Sequence, residues 1–270
     1  MKQLLASIAI GLVALAPVVS AIDRWDVNAT GDDSSGTDNE LRHGVSQEHD
    51  LQAVGGVADQ DWYLIGQKPY SSYEVVVDGL GESVATVPPS TADDVIGLNL
   101  VNSSGGVLAS SLGVSGIGAD RRLIIRNTTA VEEMSEYVRV RAAVSGCGTT
   151  CTSEAFYRIT MRDTTMFAPR FNNSGTQITV LILQNAHDAA VSYTARFYNT
   201  SGVLLASSSG GISARGSVAV NTSLIAALIG TSGAITVDHT APYSMLTGKA
   251  VALEPSTGFS FDTILVPRLH

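Results

Sequence analysis

The sequence predicts an all-β protein made of two tandem antiparallel β-sandwich domains, jelly-roll or immunoglobulin-like, behind a signal peptide. Three observations predict this class. Apolar residues recur with period two along many short segments, as half-buried strands require. Glycine, asparagine, aspartate, serine and threonine interrupt those segments about every ten residues, the spacing of sandwiches and barrels. A helical pattern is confined to Ser223–Ile229, so a parallel sheet covered by helices is not expected.

The opening MKQLLASIAIGLVALAPVVSA carries one cation (Lys2), an apolar run from Leu4 to Val19 and a small-residue close at Val19-Ser20-Ala21. This is the layout of a secretory signal peptide (1–21) cut after Ala21. Ser7, Gly11 and Pro17 interrupt the run, which is short for a bilayer span of about 20 residues. No later run is long enough for membrane insertion. Cleavage shortens 270 residues to 249 and, by removing Lys2, takes the net charge from −9 to −10. That length suits two domains, each able to bury a core. With Lys and Arg outnumbered and unclustered, nucleic acid is excluded as a partner, because phosphate neutralisation needs concentrated cations. The expected location is secreted, periplasmic or at the cell surface.

Residues 22–37 lack periodicity and read as a polar linker. The first sandwich is assigned to 38–165 and the second to 166–270, with a short hinge near Thr165–Pro169 ending at a proline. In the first, Tyr73, Val75 and Val77 share one strand face; Val138, Val140 and Ala142 face inward while Arg139 and Arg141 face water; and Tyr157, Ile159 and Met161 repeat the device. Trp62–Ile65, Ile96–Val101, Val107–Ser110 and Arg122–Arg126 complete that set. In the second, Thr176–Gln184 is apolar on both faces and suits a central strand. Val191–Phe197, Leu204–Ser207, Ser217–Val220, Ala234–Val237, Gly248–Leu253 and Phe259–Leu265 follow.

Two decamers echo each other, NSSGGVLASS at 102–111 and NTSGVLLASS at 199–208, 97 positions apart. Each follows a strand. Asn and Gly supply positive φ, and Ser or Thr hydroxyls bond to nearby backbone, so each domain is expected to contain one hairpin built the same way, through shared turn chemistry. The Asn-x-Ser/Thr triplets at Asn28, Asn102, Asn127, Asn172, Asn199 and Asn221 are read either as glycan acceptors or as turns.

The two cysteines, Cys147 and Cys151, are separated by three residues; in an exported chain they are expected to form a structural disulfide. Asp38, Glu40, Asp59 and Asp61 form the candidate metal site: if the leading segment folds back beside the first strand, the four carboxylates converge to hold calcium, a hard cation needing several oxygens. The alternative is a solvated acidic linker. No catalytic residues are assigned. His43, Glu48, His49 and Asp50 match no zinc-protease spacing, no Gly-x-Ser-x-Gly elbow is present, and the Asp and His of His187-Asp188 and Asp238-His239 point to opposite strand faces. These histidines are expected in surface loops. Trp62, Tyr63, Tyr70 and Tyr73 are expected in the core rather than on a sugar-binding platform.

Residues 40–163 carry, in order, Glu40-Leu41; Gly55-Gly56-Val57-Ala58-Asp59-Gln60-Asp61-Trp62-Tyr63; Leu98–Val101 with Gly105 and Val107–Ser111; Tyr137–Val140; and Tyr157–Thr160. This order resembles the bacterial pre-peptidase C-terminal (PPC) domain, whose Asp-x-Asp-Trp-[Phe/Tyr] strand start is matched by Asp59–Tyr63. The cysteine-bearing loop and the absence of a peptidase domain depart from that pattern. The resemblance implies a non-catalytic accessory module, with collagen- or polysaccharide-binding relatives that hold calcium near the first strand. Residues 170–270 resemble a generic immunoglobulin-like bacterial sandwich. The expected function is a binding or structural accessory protein acting through protein–protein or cell-surface contacts. A polysaccharide-binding module is one alternative, and a secreted hydrolase is another.

Overall fold

The computed structural model describes residues 31–78, 96–113, 121–142, 148–151 and 155–268. The expected signal peptide, residues 22–30 and Cys147 lie outside the described residues. The first half of the described chain contains β1 (Ser46–Asp50), β2 (Gln60–Leu64), β3 (Ser71–Asp78), β4 (Ile96–Asn102), β5 (Val107–Ser110), β6 (Leu112–Gly113), β7 (Arg121–Asn127), β8 (Glu136–Ala142) and β9 (Phe156–Asp163). The second contains β10 (Met166–Asn172), β11 (Ile178–Asn185), β12 (Val191–Asn199), β13 (Leu204–Ile212), β14 (Ser217–Asn221), β15 (Ser232–His239), β16 (Leu246–Glu254), β17 (Phe259–Ile264) and β18 (Val266–Pro267).

These strands form four antiparallel sheets, two per half. The orders are β1-β9-β3-β7-β6 and β2-β8-β4-β5, then β14-β11-β16-β17 and β13-β12-β15-β10-β18. Each half closes its two sheets on its own core. Tyr63, Leu98, Val138 and Val140 meet Val75, Val77, Tyr157 and Ile159 in the first. In the second, Phe197, Ile235 and Val237 meet Leu181, Leu183 and Ala250, with Phe171 and Phe197 edge to face at 5.6 Å. Period-two alternation places these residues inside, and each buried side chain of this size contributes about 1.5–3 kcal/mol.

The echo extends well beyond its ten residues. In both turns the Asn side-chain oxygen accepts two backbone amides: Ser104 and Gly106 at Asn102, Ser201 and Val203 at Asn199. Gly105 and Gly202 supply the left-handed step at φ +82° and +79°. A register shift follows in the same place, between Leu100 and Val101 and between Phe197 and Tyr198. The pairings Ile96↔Ala142 and Asn99↔Ser110 recur as Tyr193↔His239 and Arg196↔Ser207, every number raised by 97. Seven strands follow one path in both halves: β2-β8-β4-β5 corresponds to β10-β15-β12-β13, and β7-β3-β9 to β14-β11-β16. An eighth strand flanks β9 or β16 in each half, β1 from before the path and β17 from after it. The layering is that of an immunoglobulin-like sandwich, but the last path strand pairs in the sheet of the second, not beside the sixth as in the immunoglobulin order. Shared turn chemistry is thus one part of a shared seven-strand connectivity.

Two expectations need correction. The connection between the halves is not a hinge: β9 ends at Asp163, β10 starts at Met166, and the intervening Thr164 and Thr165 are buried. Thr164 N donates to Ser72 O at 2.8 Å, Ser72 N to Thr165 Oγ1 at 3.0 Å, and Arg268 N to Thr165 O at 2.9 Å. Pro169 sits in a bulge of β10, where no ladder amide is required. Residues 31–37 are not a solvated linker, because Trp62 N donates to Asp32 O at 2.7 Å and Asp32 and Thr37 are buried. The helical pattern at Ser223–Ile229 takes the form of two short 3₁₀ turns, Thr222–Leu224 and Ala226–Leu228.

Candidate cation site and the interface between halves

The leading segment runs along β2, with Leu64 N donating to Asn39 O (2.8 Å) and Leu41 N to Leu64 O (3.0 Å). This brings Asp32 over Asp61 of β2 and His49 of β1. All three are buried, and their ligand atoms lie within 4.8 Å of one another. His49 Nδ1 is 3.6 Å from Asp32 Oδ2, and Asn39 Nδ2 donates to the same oxygen at 3.4 Å. Below them, Tyr157 donates its hydroxyl to Asp61 Oδ2 and shares a hydrogen bond with the Tyr63 hydroxyl. Burial, reinforced by the adjacent Asp61 carboxylate, raises the Tyr157 pKa well above the usual phenol value, so this hydroxyl is a fixed donor. His49 lies edge-on to Tyr63 at 5.1 Å and stacks on Tyr157 at 5.9 Å.

Of the four carboxylates expected to converge, only Asp61 is in this cluster. Asp38 and Glu40 line an adjacent cavity of about 510 Å³ together with Asn39 and His49. Glu40 pairs with Arg42 at 2.9 Å, and Asp59 Oδ1 accepts the Gln60 amide at 2.8 Å, ordering the start of β2. The fold-back does occur, but it delivers Asp32 rather than Asp38. His49, expected in a surface loop, is buried in β1. Two carboxylates and an imidazole suit a first-row divalent transition ion better than calcium, which prefers six to eight oxygens. Cys151 is buried in the first core.

The halves dock face to face. The outer side of β7-β3-β9 meets the outer side of β12-β15. Arg126 of β7 donates to Asp238 of β15 (Nε to Oδ2, 2.8 Å), and to Ser192 Oγ and Thr194 Oγ1 at 3.3 and 3.1 Å. Arg196 grips the other Asp238 oxygen and stacks its guanidinium 4.1 Å from the Tyr70 ring centroid. Glu74 accepts the Tyr243 amide at 3.1 Å, Arg162 lies over the Tyr243 ring, and Arg268 pairs with Asp163. His239, also expected in a surface loop, is buried here. Its amide donates to Ser72 Oγ at 3.1 Å, and its Nδ1 accepts from Ala241 N at 3.1 Å. Burial pushes its pKa down to about 4, so it is neutral at pH 7. Asp238 faces the arginines, not the His239 ring, and Asp188 pairs with Arg215 at 2.7 Å.

The remaining sequence candidates have local roles. Tyr63 and Tyr73 lie in the first core, Trp62 is buried on the opposite side of its sheet, and Tyr70, expected in the core, is instead half-buried under Arg196 between the halves. At Asn102, Asn127, Asn172, Asn199 and Asn221, the side-chain oxygen accepts the amide two residues on. These triplets are turns, and Asn28 lies outside the described residues.

No protein-family model matches the chain, and no curated protein matches it. Among solved structures, a calcium-binding mutant of Bacteroides uniformis β-glucuronidase 2 aligns at 11% identity over 76% of this chain and 26% of that one, TM-score 0.20. A putative β-galactosidase from Bacteroides fragilis aligns at 12% over 81% and 34%, TM-score 0.19. A glycosyl hydrolase family 2 member from Bacteroides cellulosilyticus aligns at 12% over 77% and 28%, TM-score 0.19. The chain spans about a quarter to a third of the length of these structures, and similarity at this level carries nothing about its function. Among the described residues, no helix is long and apolar enough to cross a membrane.

Proposed function

We propose that the chain is an exported, non-catalytic binding scaffold that contacts a protein partner at the cell surface. The observation that supports this most is the docking of the two halves. An Arg126–Asp238–Arg196 cluster around a buried carboxylate and a buried connection fix the orientation of two sandwiches, as a presenter of surfaces requires and a module on a loose tether does not. Such a body holds loops and sheet faces at set distances, so a partner binds without the cost of ordering a linker. The Cys147–Cys151 disulfide belongs to this reading, as a clamp suited to an oxidising compartment. The sugar-binding alternative loses its aromatic platform with the burial of Trp62, Tyr63 and Tyr73.

The test is binding of the mature chain to envelope extract and to a polysaccharide panel, alongside screening with ester, glycoside and peptide substrates. Saturable, protease-sensitive binding to envelope protein without turnover is expected. Turnover abolished by substituting a single Ser, His or Asp would overturn the proposal.

A further inference from the structure

The shared path identifies a second docking face. In the second half, the face resting on its neighbour is the outer side of β12-β15, with Arg196, Thr236 and Asp238 on it. Subtracting 97 places Asn99, Arg139 and Arg141 at the same register positions in the first half. Trp62 pairs with Arg139 as Phe167 pairs with Thr236. Where the second half carries a carboxylate that meets an arginine, the first carries an arginine.

That arginine face is not internally balanced. Arg122, Arg126, Arg196 and Arg268 each meet a carboxylate. Among the described residues, Arg139 and Arg141 form no ion pair. Arg139 is 8% exposed and lies over the Trp62 ring, its carbon Cζ 5.5 Å from the centroid. Its Nε and the Trp62 Nε1 are buried donors without an acceptor among the described residues. Burial, with the like charge of Arg141 second, lowers the Arg139 pKa. A desolvated guanidinium without a counter-charge is costly, and stacking on an indole offsets only about 1–2 kcal/mol of that cost. Arg141 is exposed beside it, its stem packed over Gly97.

We propose that the outer face of β2-β8-β4, centred on Arg139, Arg141 and Trp62, is a binding site for a carboxylate-bearing protein segment. A carboxylate takes paired N–H donors from guanidinium groups. The equivalent face of the second half receives a protein surface through an arginine–carboxylate contact, which favours an acidic polypeptide over other anions. The site rests on the reading of the chain as a binding scaffold and specifies the partner chemistry of one of its faces.

The test titrates the mature chain, with Trp25→Phe as background so that Trp62 is its sole indole, with poly-L-glutamate, polygalacturonate and inorganic sulfate. Poly-L-glutamate is expected to shift Trp62 fluorescence saturably, weakening as salt rises. Arg141→Gln should weaken it about tenfold, the scale of one charge-assisted contact, with an unchanged melting temperature. Arg139→Lys, which keeps charge but loses the planar fork, should weaken it similarly. No response to poly-L-glutamate, equal or tighter binding of polygalacturonate, or an Arg141→Gln protein that binds like wild type would each overturn the site. Envelope binding that persists in Arg141→Gln would fault this site alone and leave the scaffold reading intact.

Discussion

Replacing Asp238 with alanine gives the largest effect that the interface between halves predicts. Its carboxylate is fully buried and is the shared acceptor of Arg126, whose side chain is 20% exposed, and Arg196, whose side chain is 7% exposed. Removing it leaves Arg196 as a buried cation stacked on Tyr70, with no carboxylate partner among the described residues, while Arg126 recovers part of its hydration. Breaking a buried pair from one side costs about 3–5 kcal/mol. Spread over a chain of this length, that lowers the melting temperature by roughly 6–10 °C. Arg126→Ala should cost less, about 1–3 kcal/mol, because Asp238 keeps Arg196. The assay is urea unfolding followed by two probes. Both tryptophans, Trp25 and Trp62, precede the second half, so fluorescence reports the first half while far-ultraviolet circular dichroism reports both. Wild-type curves should coincide, and in Asp238→Ala the circular dichroism transition should begin at lower urea than the fluorescence transition. Coincident curves with an unchanged midpoint in Asp238→Ala would show that this carboxylate does not hold the halves together.

Three further outcomes follow from the same structure. His239 titrates near 4 when folded, against an ordinary 6.5; the unfolded chain therefore binds more protons between those values, and stability should fall by up to about 3 kcal/mol as pH drops from 6.5 to 4. Above pH 7 this group contributes no slope, and chemical denaturation across pH should show a shallower acid limb in His239→Gln. Metal-stripped protein titrated with Zn²⁺ or Mn²⁺ should gain about 3 kcal/mol at a hundredfold excess over the dissociation constant, with calcium weaker and Asp61→Asn unresponsive; equal melting curves with and without metal would remove the cation site. Gly233→Ala should fail to pair β12 with β15, since an added Cβ would lie 1.8 Å from Tyr198 O; a cost below about 1 kcal/mol, measured by denaturation, would contradict this close approach.

Strand alternation made most of the fold legible. Tyr73, Val75 and Val77, or Tyr157, Ile159 and Met161, could be placed inside because a half-buried strand writes its period into the sequence. Four strands escaped that signal, two of them only two residues long, Leu112–Gly113 and Val266–Pro267. Ser46-Gln-Glu-His-Asp is entirely polar because β1 buries His49 and Asp50 at the cluster end of the first half, and β10 contains Pro169, which reads as a break until its bulge is seen. The echo was visible as ten residues, but the seven-strand correspondence was not, since turn residues persist for conformational reasons while paired strand faces carry different side chains, Asn99 against Arg196 and Arg141 against Asp238. Asp61 was legible as a ligand candidate from its place at a strand start. Asp32 and His49 were not, because their meeting depends on a long-range fold-back that spacing does not encode. Nor does period two reveal that an outward arginine will be covered, as Arg126 and Arg196 are, by the other half of the same chain.

If the two like-built sandwiches are held as one body through their buried connection, amide hydrogen exchange at Thr164 and Thr165 reports it. Both amides are hydrogen-bonded, to Ser72 O and Asp163 Oδ1, and both residues are buried, so they should be protected to the level of core strand amides such as Val75 and Val237. Exchange at the rate of exposed loop amides would mean that the halves move independently.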